Sequence, residues 1–280
     1  MADIQKLKDI ASQVRRDIIR QTFHCQSGHP GGSLGCADLM VALYFEILHH
    51  NSAYSMQGSG EDLFFLSNGH ISPVWYSVLA RAGYFPVEEL ATFRQLNSRL
   101  QGHPATHEKL PGIRVASGSL GQGMSVAIGA ALGKKLDRDE RLVYCLTGDG
   151  ELQEGQVWEA ALFAAHHAVD NLIVICDRNN AQIDGTTEDV IRLGEVAHKF
   201  QAFGWDTLHM DGNDMQQVID TLRQAAQHCG AGRPVFIEMK TAMGKGVDFM
   251  EGSYQWHGKP PSAQQTEVAL AQLAETLGDF

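Results

Sequence analysis

Short apolar runs separated by amphipathic stretches constrain this chain most. The runs are Leu63–Leu66 (LFFL), Arg141–Thr147 (RLVYCLT), Asn171–Asp177 (NLIVICD), Trp205–Met210 and Pro234–Met239. Between the later ones lie segments with helical spacing: Glu154–His167, Val190–Phe203 and Met215–His228. Leu7, Ile10, Val14 and Ile18 make a helical stripe ahead of them. A second helix is expected from about Ala37 to Leu48, and the stretch from Gln264 reads as helix. Runs of continuous Val/Ile/Leu character suit strands buried on both faces, and helices between them imply parallel crossovers. The expected fold is α/β, a doubly wound, mainly parallel sheet of about five strands with helices on both faces. No repeat, low-complexity tract or Pro/Ser linker divides residues 1–280, so one domain with loop elaborations is expected.

Composition removes several function classes. The formal net charge of −11 argues against nucleic acid, because binding phosphates along a backbone needs a basic face. The long uncharged run Val115–Gly133 is rich in Gly, Ser and Gln. It reads as a loop entering a helix, not a membrane span. The N-terminus is charged from Asp3 onward, unlike a secretory signal. The five cysteines form no CxxC pair, and Cys145 and Cys176 sit inside apolar runs. Reduced core thiols in a cytoplasmic protein are the expectation.

In doubly wound sheets, ligands bind at the carboxyl ends of the strands. Thr147-Gly148-Asp149-Gly150-Glu151 directly follows one expected strand. Its glycines allow a tight turn and close backbone approach, and the next helix would offer free N–H groups to an anion. Asp149 there is a hard oxygen ligand, suited to Mg²⁺ or Ca²⁺. The next strand ends at Asp177-Arg178-Asn179-Asn180. Asn179 follows Asp149 at about the 30-residue length of one strand–helix–strand unit, which places the two on neighbouring strand ends.

At these residues the chain resembles a known family. GDGELQEGQVWEAA followed by IVICDRNNAQIDG is similar to the thiamine-diphosphate motif as transketolases carry it. SGHPGGSLG from Ser27, LSNGH from Leu66, FRQLNSRLQGHP from Phe93, ASGSLGQG from Ala116 and WHGKP from Trp256 extend the resemblance over nearly the whole chain. The match is to the N-terminal, diphosphate-binding domain.

The resemblance implies a thiamin diphosphate-binding fold and a set of roles. Asp149, Asn179 and the backbone carbonyl of Ala181 would ligate the metal. Gly148, Gly150 and Glu151 would lie at the diphosphate. Gly118, Ser119 and Leu120 would hold the cofactor near its rings. His70 and His257 would reach the diphosphate and the reacting centre, and His29 and His103 the sugar hydroxyls. Imidazoles that exchange protons near physiological pH suit a reaction that makes and breaks carbon–carbon bonds beside a ketone. The other nine histidines read as structural. Glu154 and Glu159, five residues apart on one helix, do not share a face. The family implies for them an acidic network between two cofactor sites at a subunit interface.

The implied activity is transfer of a two-carbon ketol unit from a ketose phosphate to an aldose. In transketolases a glutamate of a separate pyrimidine-binding domain, on the other subunit, activates the cofactor. Neither that domain nor the C-terminal one is matched here, so both are expected on a partner chain, in an α2β2 assembly. Pentose phosphates are the default substrates, and a specialised sugar route is equally open. Two other readings are open from the sequence. One is a related thiamine-diphosphate enzyme subunit, deoxyxylulose-phosphate synthase-like or 2-oxoacid decarboxylating, against which LQEG and the histidine set argue. The other is a non-catalytic regulatory homologue.

Overall fold

The computed structural model describes residues 2–280. The chain opens on α1 (Ile4–His24), whose first turn is capped by Asp3 accepting the Lys6 N–H at 3.1 Å. Then come α2 (Pro30–Gly35), α3 (Ala37–Ala42), β1 (Leu63–Leu66), α4 (Ser72–Arg81) and α5 (Gly123–Leu136). The second half runs β2 (Val143–Gly148), α6 (Gly155–His166), β3 (Leu172–Arg178), the two-residue strands β4 (Ala181–Gln182) and β5 (Gly185–Thr186), and α7 (Thr187–Val190). It closes with α8 (Val196–Ala202), β6 (Asp206–Asp211), α9 (Met215–His228), β7 (Val235–Lys240) and α10 (Ala263–Gln272).

The main sheet has five strands in the order β1-β2-β3-β7-β6, and every neighbouring pair is parallel. The expected doubly wound α/β sheet is therefore observed. Alternate strand residues serve opposite faces, as the two-residue period of a strand requires. Leu146, Ile173, Ile175 and Ile237 join the core under α1, α3, α4 and α9. Cys145, Leu172, Val174 and Phe236 join the core under α5, α6 and α8. Ile175 is fully buried in the centre of this arrangement. Truncating it to Ala would cost about 2–5 kcal/mol.

Two helices differ from expectation. The one expected over Ala37–Leu48 turns into a π-helical turn at Leu43–Ile47, where Leu48 N–H donates to Leu43 O at 2.8 Å. The one expected over Val190–Phe203 is broken. Ile191 is extended and Gly194 takes a left-handed φ of 60°, so α8 starts only at Val196. All five cysteines are free thiols, as expected. Among the described residues no helix is long and apolar enough to cross a membrane.

The chain winds β1, β2, β3 in one direction, then places β6 at the edge and returns through β7. The carboxyl ends of β1, β2, β3 and β7 thus line up, and the loops after them converge on one cavity.

Candidate active site

The cavity has a volume of about 300 Å³. Asp149 enters it from the turn after β2 and is buried. Its Oδ1 accepts the Gly150 N–H at 2.8 Å and its Oδ2 the Asn180 N–H at 2.6 Å. Asn179 enters from the turn after β3. Its amide nitrogen donates to Asp177 Oδ2 at 2.7 Å, and its amide oxygen accepts the Ala181 N–H at 2.9 Å. The spacing argument placed these two on adjacent strand ends, and the register pairs Gly148 with Asp177 directly.

Burial pushes the Asp149 carboxyl up to about 7, and the neighbouring Asp177 adds to the effect. Asp177 is itself raised by burial, against hydrogen bonds from Thr241, Asn179 and Cys36. Glu151, also buried, ties three loops together. Its Oε1 accepts from Ser67 Oγ and from the Gly121 N–H at 2.8 Å, and its Oε2 accepts the Gly148 N–H at 3.1 Å.

Four loops far apart in the chain bring the histidines together. His29 stands at the N-terminus of α2 with Pro30 in the first helical position. His70 lies in the 3-10 turn Gly69–Ile71 after β1, and His257 follows the 3-10 turn Tyr254–Trp256. The rings of His29, His70 and His257 lie 5.0–5.5 Å apart by centroid. His103 is exposed and 6.5 Å from His29. Burial holds His29, His70 and His257 below the ordinary imidazole range, His29 at about 4 with His257 and Arg94 contributing; His103, outside the cavity wall, is lowered by partial desolvation and by Arg94. They are neutral at physiological pH and can both donate and accept hydrogen bonds.

Gly118, Leu120, Gly148, Gly150 and Ala181 also line the cavity. Gly118 has a φ of 132°, and a Cβ there would fall 2.8 Å from His103 Cδ2. Ser119 is exposed outside the cavity wall. Glu154 and Glu159 are exposed outside it too, Glu154 at the N-terminal cap position of α6. The stretch Lys245–Trp256 contributes no residue to the wall. Instead Val247, Met250 and Trp256 pack in the core and carry His257 into place.

Sequence reasoning missed Gly32, Asn68, Ile71, Asp177, Gln182 and Ile183 as lining residues. Asn68 had a signal, since it stands in the SNGH turn beside His70. Gln182 and Ile183 had none, because their exposure to the cavity depends on the β4–β5 hairpin folding back. A larger, more open concavity of about 800 Å³ lies at the amino ends of β2 and β3, beside Arg141, Leu142 and Asn171, away from all these residues.

Residues 7–278 match the family described as transketolase, thiamine diphosphate binding domain. The chain belongs to the transketolase family. An apulose-4-phosphate transketolase subunit from Actinobacillus succinogenes is 37% identical, with 96% of each chain covered. The 6-deoxy-6-sulfo-D-fructose transketolase subunit of a Clostridium species is 35% identical over 95% of this chain and 96% of its own. The crystal structure of Campylobacter jejuni transketolase superposes with a TM-score of 0.90 at 34% identity. That match covers 97% of this chain but 43% of the Campylobacter chain. The expected family, fold and enzyme class are thus borne out, and transketolase relatives of matching length are themselves named as subunits.

Proposed function

We propose that this transketolase-family chain holds the diphosphate-and-metal half of a thiamine-diphosphate site. With a partner chain bearing a pyrimidine-binding domain, it would transfer a two-carbon ketol unit from a ketose phosphate to an aldose. One observation carries the reading: the cavity wall is acidic. Asp149, Glu151 and Asp177 line it, and among the described residues no lysine or arginine does. A cation favours the entry of a diphosphate into such a wall, and binding it would hold the buried Asp149 carboxyl in its ionised form.

The residues fit that pair of ligands. Asp149, Asn179 and the carbonyl of Ala181 are hard oxygen donors for Mg²⁺ or Ca²⁺. Asn68 Oδ1, Gln182 Oε1, His29 Nδ1 and His257 Nδ1 are buried without partners. Buried polar atoms are normally satisfied, so a polar guest is expected among them. When bound, thiamine diphosphate supplies a carbon nucleophile for the donor's ketone and a ring that delocalises the resulting charge. This chain's residues bind and orient, and the partner chain supplies the pyrimidine-binding domain. His70 and His257 sit at the diphosphate and reacting centre. His29 and His103 hold the sugar hydroxyls and exchange protons with its oxygens. Glu154 and Glu159 face the partner, in an α2β2 arrangement.

The relatives of matching length are named for apulose 4-phosphate and a sulfonated fructose. A specialised anionic sugar therefore stands beside pentose phosphates as the donor. The reduced thiols suit a cytoplasmic enzyme. The test is a ketol-transfer assay of the chain alone and mixed with a partner chain bearing a pyrimidine-binding domain, over a panel of ketose donors. Transfer only by the mixture is expected. Full transfer by the isolated chain would overturn the partner requirement, and no transfer by the mixture with any donor would overturn the activity.

A further inference from the structure

Two loops with the same Gly-His-Pro triplet present His29 and His103, and Arg94 stands between them. Its Nη1 donates to Ser27 Oγ at 3.0 Å and its Nη2 to the Gly102 carbonyl at 3.4 Å. Ser27 lies just before the first triplet, and Gly102 opens the second. The guanidinium sits so close to Gly102 that a Cβ there would fall 2.5 Å from Arg94 Cζ. The adjacent Phe93 touches the other loop, where a Cβ on Gly28 would fall 3.3 Å from Phe93 Cε1. Arg94 holds a left-handed backbone, with a φ of 58°, and its N–H donates to Leu100 O at 2.9 Å. A non-glycine residue keeps that conformation only where its surroundings over-determine it. Contacts from both loops do so here.

We propose that Arg94 is a positioning residue that ties the two Gly-His-Pro loops together and sets the spacing of His29 and His103. The inference rests on reading those histidines as the sugar-facing pair, and deepens it. A lysine could not replace the arginine, because a point-like ammonium lacks the planar fork that reaches two acceptors at once. The fixed charge has a second effect: it faces both imidazoles and opposes their protonation. The other titratable groups facing His29 are His257, His70 and His103. Those facing His103 are His29, His70 and Arg94.

The test uses the full chain, with hydrogen exchange and histidine imidazole NMR on Arg94→Met, Arg94→Lys and Ser27→Ala. Both Arg94 variants should speed amide exchange in residues 25–30 and 100–104 by about tenfold, the loss of a charged hydrogen bond. The His103 titration should move to higher pH in Arg94→Met and stay near the parent in Arg94→Lys, which keeps the charge. Ser27→Ala should loosen residues 25–30 alone. Unchanged exchange in both loops of the two Arg94 variants would overturn the proposal. Should Arg94→Met fail to fold, Ser27→Ala decides: faster exchange in its loop supports the clamp and unchanged exchange refutes it. None of these readouts needs turnover, so a failed ketol-transfer assay would leave them standing.

Discussion

The Asp149 carboxylate accepts the Asn180 backbone N–H at 2.6 Å and so locks the turn after β2 to the turn after β3. That bond holds the acid beside Asn179 and Ala181, the donor set proposed for a divalent cation. Asp149→Asn keeps the shape and removes the charge. Divalent-cation affinity in the presence of thiamine diphosphate should fall about a hundredfold, the order expected when a charged oxygen ligand becomes neutral. Calorimetric titration measures it, and unchanged affinity would place the cation elsewhere.

Glu151 is the second structural tie, receiving Ser67 Oγ and the N–H groups of Gly121 and Gly148. Glu151→Ala leaves three buried donors unpartnered and should cost about 3 kcal/mol in urea denaturation. Glu151→Gln, which keeps one acceptor oxygen, should cost less. A loss below about 0.5 kcal/mol for the alanine variant would match an ordinary surface position and contradict the role.

Gly118 is needed for space as well as conformation. Gly118→Ala drives a Cβ toward His103 and strains a positive φ. Misplacing a site residue by about 1 Å can cost roughly a hundredfold in rate, and a loss of that order is expected in the assembled enzyme. Gly129 on α5 is the control, since a Cβ there meets nothing within 4 Å. Gly129→Ala should be neutral or stabilising by up to about 1 kcal/mol.

The histidine cluster makes the fold acid-sensitive. His29 titrates at about 4 in the folded chain against an ordinary 6.5. Between those values the unfolded chain binds more protons, so stability is full above about 6.5 and is lost as pH falls toward 4. His29 alone should account for about 1–2 kcal/mol between pH 7 and pH 5. His70 and His257 act in the same direction. Denaturation midpoints at several pH values should show a smaller acid loss in His29→Asn than in the parent. An equal loss in both would locate the acid sensitivity elsewhere.

Glu154 and Glu159 are exposed in this chain, a position suited to meeting a partner. Glu154→Gln and Glu159→Gln should weaken assembly or cofactor activation by about tenfold each, as for charged hydrogen bonds lost at an interface. Sedimentation with the partner chain and a cofactor titration of activity would show it. Normal assembly and activation in both variants would sink the interface role.

Much of this was legible in the residues themselves. A strand buried on both faces must be apolar along its length, so NLIVICD and its counterparts announced a parallel sheet before any contact was known. The Gly-Asp-Gly turn and Asn179 could be placed because loops after such strands meet on one edge. Other features were not legible. The Ala37–Leu48 periodicity carried no mark of the π turn. Gly194 lies inside an otherwise helical pattern, where a single glycine weakens a helix without having to end it.

Strand periodicity and turn chemistry are local, so the sequence alone determined the sheet class and the Gly-Asp-Gly turn, while the family resemblance supplied the remaining candidate site residues. Contacts between distant segments depend on how the elements pack, and only the tertiary structure decided those. It gathered His29, His70 and His257 within 5.5 Å of one another from separate loops. It set Asp177 behind Asn179, made Glu151 the tie between three loops, and laid one arginine across two Gly-His-Pro turns.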